Sequence, residues 1–269
     1  FISLFSIMFS SHIRTVVLVL ALLFSAAMFG SVADASHSWG TYHWARAANP
    51  FTLQLGDNVS TTWDAYLGAA STDWSVSSVL DTAVVSGANL KNCKPVGGRV
   101  EVCNRKYGKN GWLGVAQIWI SGSHIVQGTV RVNDTYFNTT AYNTPAWRQF
   151  VMCQEIGHTF GLAHQDEKFG NANLGSCMDY TNDPTTNQHP NDHDYTQLET
   201  IYSSHLDMMT TALSKAAGAS ARANNNDIDT TDQKDWGKEV RKSKDGKSSL
   251  HERDLGKGQK LFTFVIWAE

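Results

Sequence analysis

Alternation of apolar and polar positions marks "FTLQLGDN" (51–58) as a strand with one buried face. The next segment, "STTWDAYLGAASTDWS" (60–75), changes period. Trp63, Tyr66, Leu67 and Trp74 recur at helical intervals behind a Ser/Thr cap, which predicts a helix. Four glycine-punctuated runs follow, "LDTAVVSG" (80–87), "GRVEVCN" (98–104), "GVAQIWIS" (114–121) and "GTVRVND" (128–134), each reading as a strand. "NTPAWRQFVMCQEIGHTFG" (143–161) returns to helical spacing, with Thr144 as N-cap and Pro145 in the first helical position. A third helix is expected over 194–217 and a last strand in "LFTFVIW" (261–267). Strand, helix, several strands, helix is the order of an α+β domain on a mixed sheet.

The ends of the chain read differently. Arg14 precedes an apolar run from Val16 to Phe24, and Ala33-Asp34-Ala35 supplies a small-residue cleavage signal. This is the pattern of a secretory signal peptide over 1–35, with the apolar run too short to span a bilayer. The expected mature protein is secreted and extracellular, with no membrane attachment once the signal is removed. The main domain is expected over 36–217, a small polar linker "GASARANNNDIDTTDQKD" over 218–235, and a small β segment over 236–269. That last segment carries a basic run (Lys238, Arg241, Lys242, Lys244, Lys247), read as a solvated face.

Composition adds bounds. Of 269 residues, 42% are hydrophobic and 17% charged, enough to build a core. A net charge of −3 gives no electrostatic reason for nucleic-acid binding, and a monomer is expected. In an oxidising compartment the four cysteines should pair. Gly97-Gly98 can turn a hairpin that brings Cys93 to Cys103, leaving Cys153 for Cys177.

The candidate chemistry lies in "CQEIGHTFGLAH" (153–164). Positions i and i+4 of a helix share a face, so Gln154 and His158 point the same way with Glu155 beside them. Gly161 can turn the chain and swing His164 back toward His158. Two imidazoles with an adjacent glutamate are the parts of a catalytic zinc site, with the glutamate as general base.

Residues 154–164 resemble H-E-x-x-H-x-x-G-x-x-H, the signature of the metzincin zinc endopeptidases, everywhere except the first position. "SCMDY" (176–180) is similar to the Met-turn of the astacin and serralysin branches, and "PNDHDYTQLETIY" (190–202) resembles the helix after the Met-turn in matrixins. The resemblance covers roughly 50–205. It implies a metzincin-like domain with a twisted mixed sheet, active-site helix, Met-turn and C-terminal helix. It further implies Zn2+ held by His158, His164 and Gln154, with Glu155 and Tyr180 catalytic, Met178 beneath the metal and a Cys153–Cys177 bridge tying helix to Met-turn. The implied substrate is a polypeptide lying extended along the sheet edge beside the cleft.

Gln154 stands where the family has histidine, and a neutral amide is a poorer zinc ligand than imidazole. Three arrangements are open. Gln154 is a weak third ligand; or His189, His193, Asp166 or Asp179 substitutes; or the chain is an inactive metzincin-like extracellular binding protein. Other nucleophile and phosphate-binding motifs are absent. His124 and His251 have no partner in the sequence and read as structural or surface residues. Asn58, Asn133 and Asn138 lie in glycosylation sequons.

Overall fold

A computed structural model describes residues 37–89, 91–207 and 230–268. The expected signal peptide, residues 208–217 of the expected third helix and residues 218–229 of the linker lie outside them. The elements in chain order are β1 (His43–Trp44), β2 (Phe51–Asn58), α1 (Asp64–Trp74), β3 (Leu80–Ser86), β4 (Val100–Arg105), β5 (Trp112–Ser121), β6 (His124–Asn133), α2 (Pro145–His158), α3 (Asp192–Tyr202), β7 (Lys238–Lys242), β8 (Ser248–Gly256) and β9 (Gln259–Trp267).

The strands form one mixed sheet in the order β3-β2-β4-β6-β5-β9-β8-β7, with β1 pairing the start of β6. Pairs among β1, β2, β3, β4 and β6 are parallel, while β5, β7, β8 and β9 pair antiparallel. The α+β class with a mixed sheet is thus observed. The C-terminal strands are continuous with the main sheet, because β9 pairs along the whole of β5. The chain leading to them is anchored on the sheet: Arg131 donates to the Thr230 hydroxyl at 2.8 Å, and the Trp236 indole donates to the Thr230 carbonyl at 2.9 Å.

The period of "LFTFVIW" explains why β9 is interior. Phe262, Phe264 and Ile266 point into the main core under the helices, whereas Leu261 and Val265 join small clusters around Trp119 and Trp236 on the other face. A strand apolar on both faces needs neighbours on both, which an exposed hairpin would not supply.

Local signals hold with adjustments. Thr144 caps α2 by accepting from the Trp147 amide at 3.2 Å, with Pro145 at the first position. Helix α1 starts only at Asp64 and has no side-chain cap, since residues 61–63 form a turn before it. Helix α3 begins earlier than expected, at Asp192, because Asn191 and Asp194 make a capping box, and it ends at Tyr202.

Both disulfides form as paired in the sequence reading, with Cα–Cα separations of 6.1 Å for Cys93–Cys103 and 6.0 Å for Cys153–Cys177. The first joins a 3-10 turn (Lys91–Cys93) to β4, not the two arms of a β-hairpin. Of the three sequon asparagines only Asn138 is exposed; Asn133 is fully buried and caps the turn of helix that follows it. No helix among the described residues is long and apolar enough to cross a membrane.

Candidate metal centre

Helix α2 carries Gln154, Glu155 and His158 into the interior, and all three are essentially inaccessible. Two glycines make this approach possible. A Cβ on Gly114 of β5 would fall 2.6 Å from Val151 Cγ1 and 2.7 Å from Glu155 Oε1. A Cβ on Gly157 would fall 2.6 Å from Met178 Sδ and 2.7 Å from Trp74 Cζ2. The helix therefore lies close against β5 on one side and against Met178 and Trp74 on another. The Cys153–Cys177 bridge fixes the Met178 turn to the helix, and the Trp74 indole donates to the Cys153 carbonyl at 3.1 Å.

Past the helix, Gly161 (φ +96°) reverses the chain where a Cβ would strike the Tyr42 carbonyl oxygen at 2.5 Å. The reversal brings His164 edge-on to His158, with ring centroids 4.5 Å apart, and Tyr180 packs on His164 at 3.9 Å. His158 Nδ1 lies 2.8 Å from the Leu162 carbonyl, which can only accept. The proton is therefore on Nδ1 and the lone pair on Nε2. His164 Nδ1 faces Glu167 Oε1 at 3.6 Å, and Glu167 is paired with Arg241 of β7 at 2.8 Å.

Burial dominates the electrostatics. It pushes the Glu155 carboxyl well above its ordinary range, partly opposed by the Ala116 amide. It holds His158 well below the usual imidazole value, with His164 adding to the effect. His164 is lowered well below that value too, by burial first and then Arg241. The Tyr180 phenol is raised by burial; its hydroxyl sits near Ser248 without a well-aligned hydrogen bond. Both side-chain polar atoms of Gln154 and Oε2 of Glu155 are buried with no hydrogen-bond partner. Such groups cost about 1–3 kcal/mol each when left unpaired. Two imidazoles kept neutral, a carboxamide oxygen and a nearby carboxyl fit a borderline transition-metal ion such as Zn2+, which would engage these atoms.

Among the described residues no third His, Cys, Asp or Glu joins His158 and His164 with its ligand atom within 4.8 Å. The substitutes considered from the sequence are engaged elsewhere. His189 is exposed and pairs with Asp73 at 2.7 Å. His193 stacks on His37. Asp166 caps the Lys168 amide, and Asp179 binds Asn187 and the Leu174 amide.

The sequence reading missed what covers the site. Strand β5 is not an edge here: β9 runs antiparallel to it, Ala116 faces Phe264 in register, and the Phe264 ring stacks on His158 at 4.4 Å and 9°. What remains is a cavity of about 10 Å³ between His164, Tyr180, Arg241, Ser248 and Phe264, room for a single water at most. The signal was the double-faced apolar period of "LFTFVIW", which needs a partner strand that sequence alone does not name.

No family model matches this chain, and no curated protein matches it. Among solved structures it is similar to "Structure of myroilysin", with a TM-score of 0.36 and 11% identity over 63% of this chain and 99% of that one. "Crystal structure of myroilysin" gives 0.33 and 11% over 64% and 96%. A likeness this distant assigns neither family nor activity to the chain.

Proposed function

We propose that this chain is a secreted zinc-dependent endopeptidase of metzincin type, covered in this state by its own C-terminal strands. The observation that carries the reading is a pair of imidazoles, His158 and His164, edge-on at 4.5 Å at the end of the helix that buries the unpartnered polar atoms of Gln154 and Glu155. Two disulfides support export to an oxidising compartment. His158 and His164 would hold the ion through Nε2 and Gln154 through Oε1. Zinc, when bound, supplies a Lewis acid for the peptide carbonyl and lowers the pKa of a water.

The chain's residues do the rest. Glu155 accepts the proton of the attacking water and passes it to the leaving amine. The Tyr180 hydroxyl donates to the oxygen that gains negative charge. A polypeptide substrate would pair with β5 as an extended strand, the position β9 fills here, so binding requires β9 to yield.

The test is zinc content and cleavage of an unfolded protein by the full chain and by Glu155→Ala. Bound zinc and a loss of about 10²–10⁴-fold in cleavage are expected. A chain that stays metal-free in excess zinc refutes the proposal. A second reading, a non-catalytic extracellular binding protein, is favoured by the amide at position 154 and by the cover over His158. It predicts no zinc-dependent cleavage at all, and identical behaviour of Glu155→Ala.

A further inference from the structure

Three histidines and an aspartate meet away from α2, where β1, the β5–β6 turn and the chain leaving α3 come together. Strand β1 pairs in parallel with β6, and the register sets His43 beside His124. The chain after α3 is held to the same place by the Asp207 amide, which donates to the Arg46 carbonyl at 2.8 Å. Asp207 Oδ1 then lies 3.0 Å from His124 Nε2, 3.6 Å from His43 Nε2 and 3.7 Å from His205 Nε2. The Nε2 atoms of His43 and His205 are 3.2 Å apart.

The ligand atoms of His43, His124 and Asp207 all lie within 4.8 Å of one another, and His205 Nε2 lies beside those of His43 and Asp207. Four donors at about 2.0–2.1 Å from a tetrahedral zinc ion are about 3.3–3.4 Å from one another. The outer atoms are engaged in the way that aims ligands. His43 Nδ1 lies 2.7 Å from the Thr41 carbonyl, which accepts only, so the lone pair is on Nε2, facing the cluster. His205 Nδ1 is 3.1 Å from the Ser204 hydroxyl. Asp207 Oδ2 accepts from Arg46 Nη1 at 3.0 Å and from the Arg46 amide at 3.2 Å, which leaves Oδ1 for the imidazoles.

We propose that His43, His124, His205 and Asp207 form a structural zinc site, separate from the candidate centre at His158 and His164. Three imidazoles and a carboxylate complete a tetrahedron and leave no open position, so the ion cross-links and does not catalyse. It pins the chain after α3 to β1 and to the β5–β6 turn. Because β5 pairs β9, the clamp also holds one end of the hairpin that carries the C-terminal strands.

The test is a titration of the chelator-stripped full chain with Zn2+ alone, with Co2+ absorption as a reporter of tetrahedral geometry. The side chain of His205 is about half exposed, at 48%, so its truncation should leave the fold intact. His205→Ala and Asp207→Asn are expected to lose one zinc equivalent, or to bind it at least about 100-fold more weakly. They should also lose the zinc-dependent rise in Tm. His164→Gln should keep this equivalent, which separates the site from the candidate centre. Wild-type zinc stoichiometry and affinity in both His205→Ala and Asp207→Asn would overturn the proposal. So would a wild-type chain with no zinc equivalent sensitive to either change.

Discussion

Phe264→Ala tests the cover over the candidate centre directly. The ring is 2% exposed, lies flat on His158 at 4.4 Å and meets Trp39 edge-on at 4.9 Å. Removing a buried phenylalanine costs about 3–5 kcal/mol, of which aromatic pairing supplies about 0.5–1.5 kcal/mol per pair. The ring's contacts are with residues outside β9, so nearly all of the loss falls on the attachment of β9 to the domain. At about 1.4 kcal/mol per tenfold, opening of β9 becomes about two to three and a half orders of magnitude more frequent. A domain of ordinary stability, about 5–15 kcal/mol, survives such a loss when it starts from the upper part of that range. The assay is denaturant unfolding, read beside amide exchange in β9 and cleavage of an unfolded substrate with zinc present. A loss below about 1 kcal/mol would refute the burial argument. The expected loss without faster exchange or faster zinc-dependent cleavage would refute the role of β9 as the cover.

Gln154→His replaces a neutral amide by imidazole at the third donor position and should tighten zinc at the candidate centre by about tenfold or more, read by competition with a chromogenic chelator. Unchanged affinity would mean that position 154 does not face the ion. Gly157→Ala places a methyl 2.6 Å from Met178 Sδ and should cost about 1–3 kcal/mol by thermal or denaturant unfolding. His37 is buried with its pKa lowered to about 4 by desolvation, so the unfolded chain takes up its proton first as pH falls below 6.5. Stability contributed by the neutral ring is therefore lost from pH 6.5 down to about 4. His37→Gln should reduce that slope by up to about 1.4 kcal/mol per pH unit, and an unchanged slope would refute the assignment.

Local rules carried much of the fold. The capped start of α2, the limits of β2 and the strands from β3 to β6 are encoded in period, Gly, Pro and Thr, which act over a few residues. The pairing of Cys153 with Cys177, the reversal at Gly161 and the approach of His164 to His158 that it produces were equally legible. What failed was long-range. Phe264 lies about a hundred residues after His158 in sequence, and nothing within its own strand says which edge that strand will seek. His43, His124, His205 and Asp207 are each unremarkable in the linear chain. Only the register of β1 on β6 and the anchoring of Asp207 by Arg46 bring them together.

By itself, then, the sequence determined the elements, the class of sheet and the candidate ligands near one helix, because periodicity, capping and i,i+4 geometry are short-range physics. The tertiary structure decided which strand covers β5 and that His43, His124 and Asp207 come together. Those outcomes depend on strand pairing and on the burial of faces that are far apart in the chain, where many partners satisfy the same local pattern and only one closes the core.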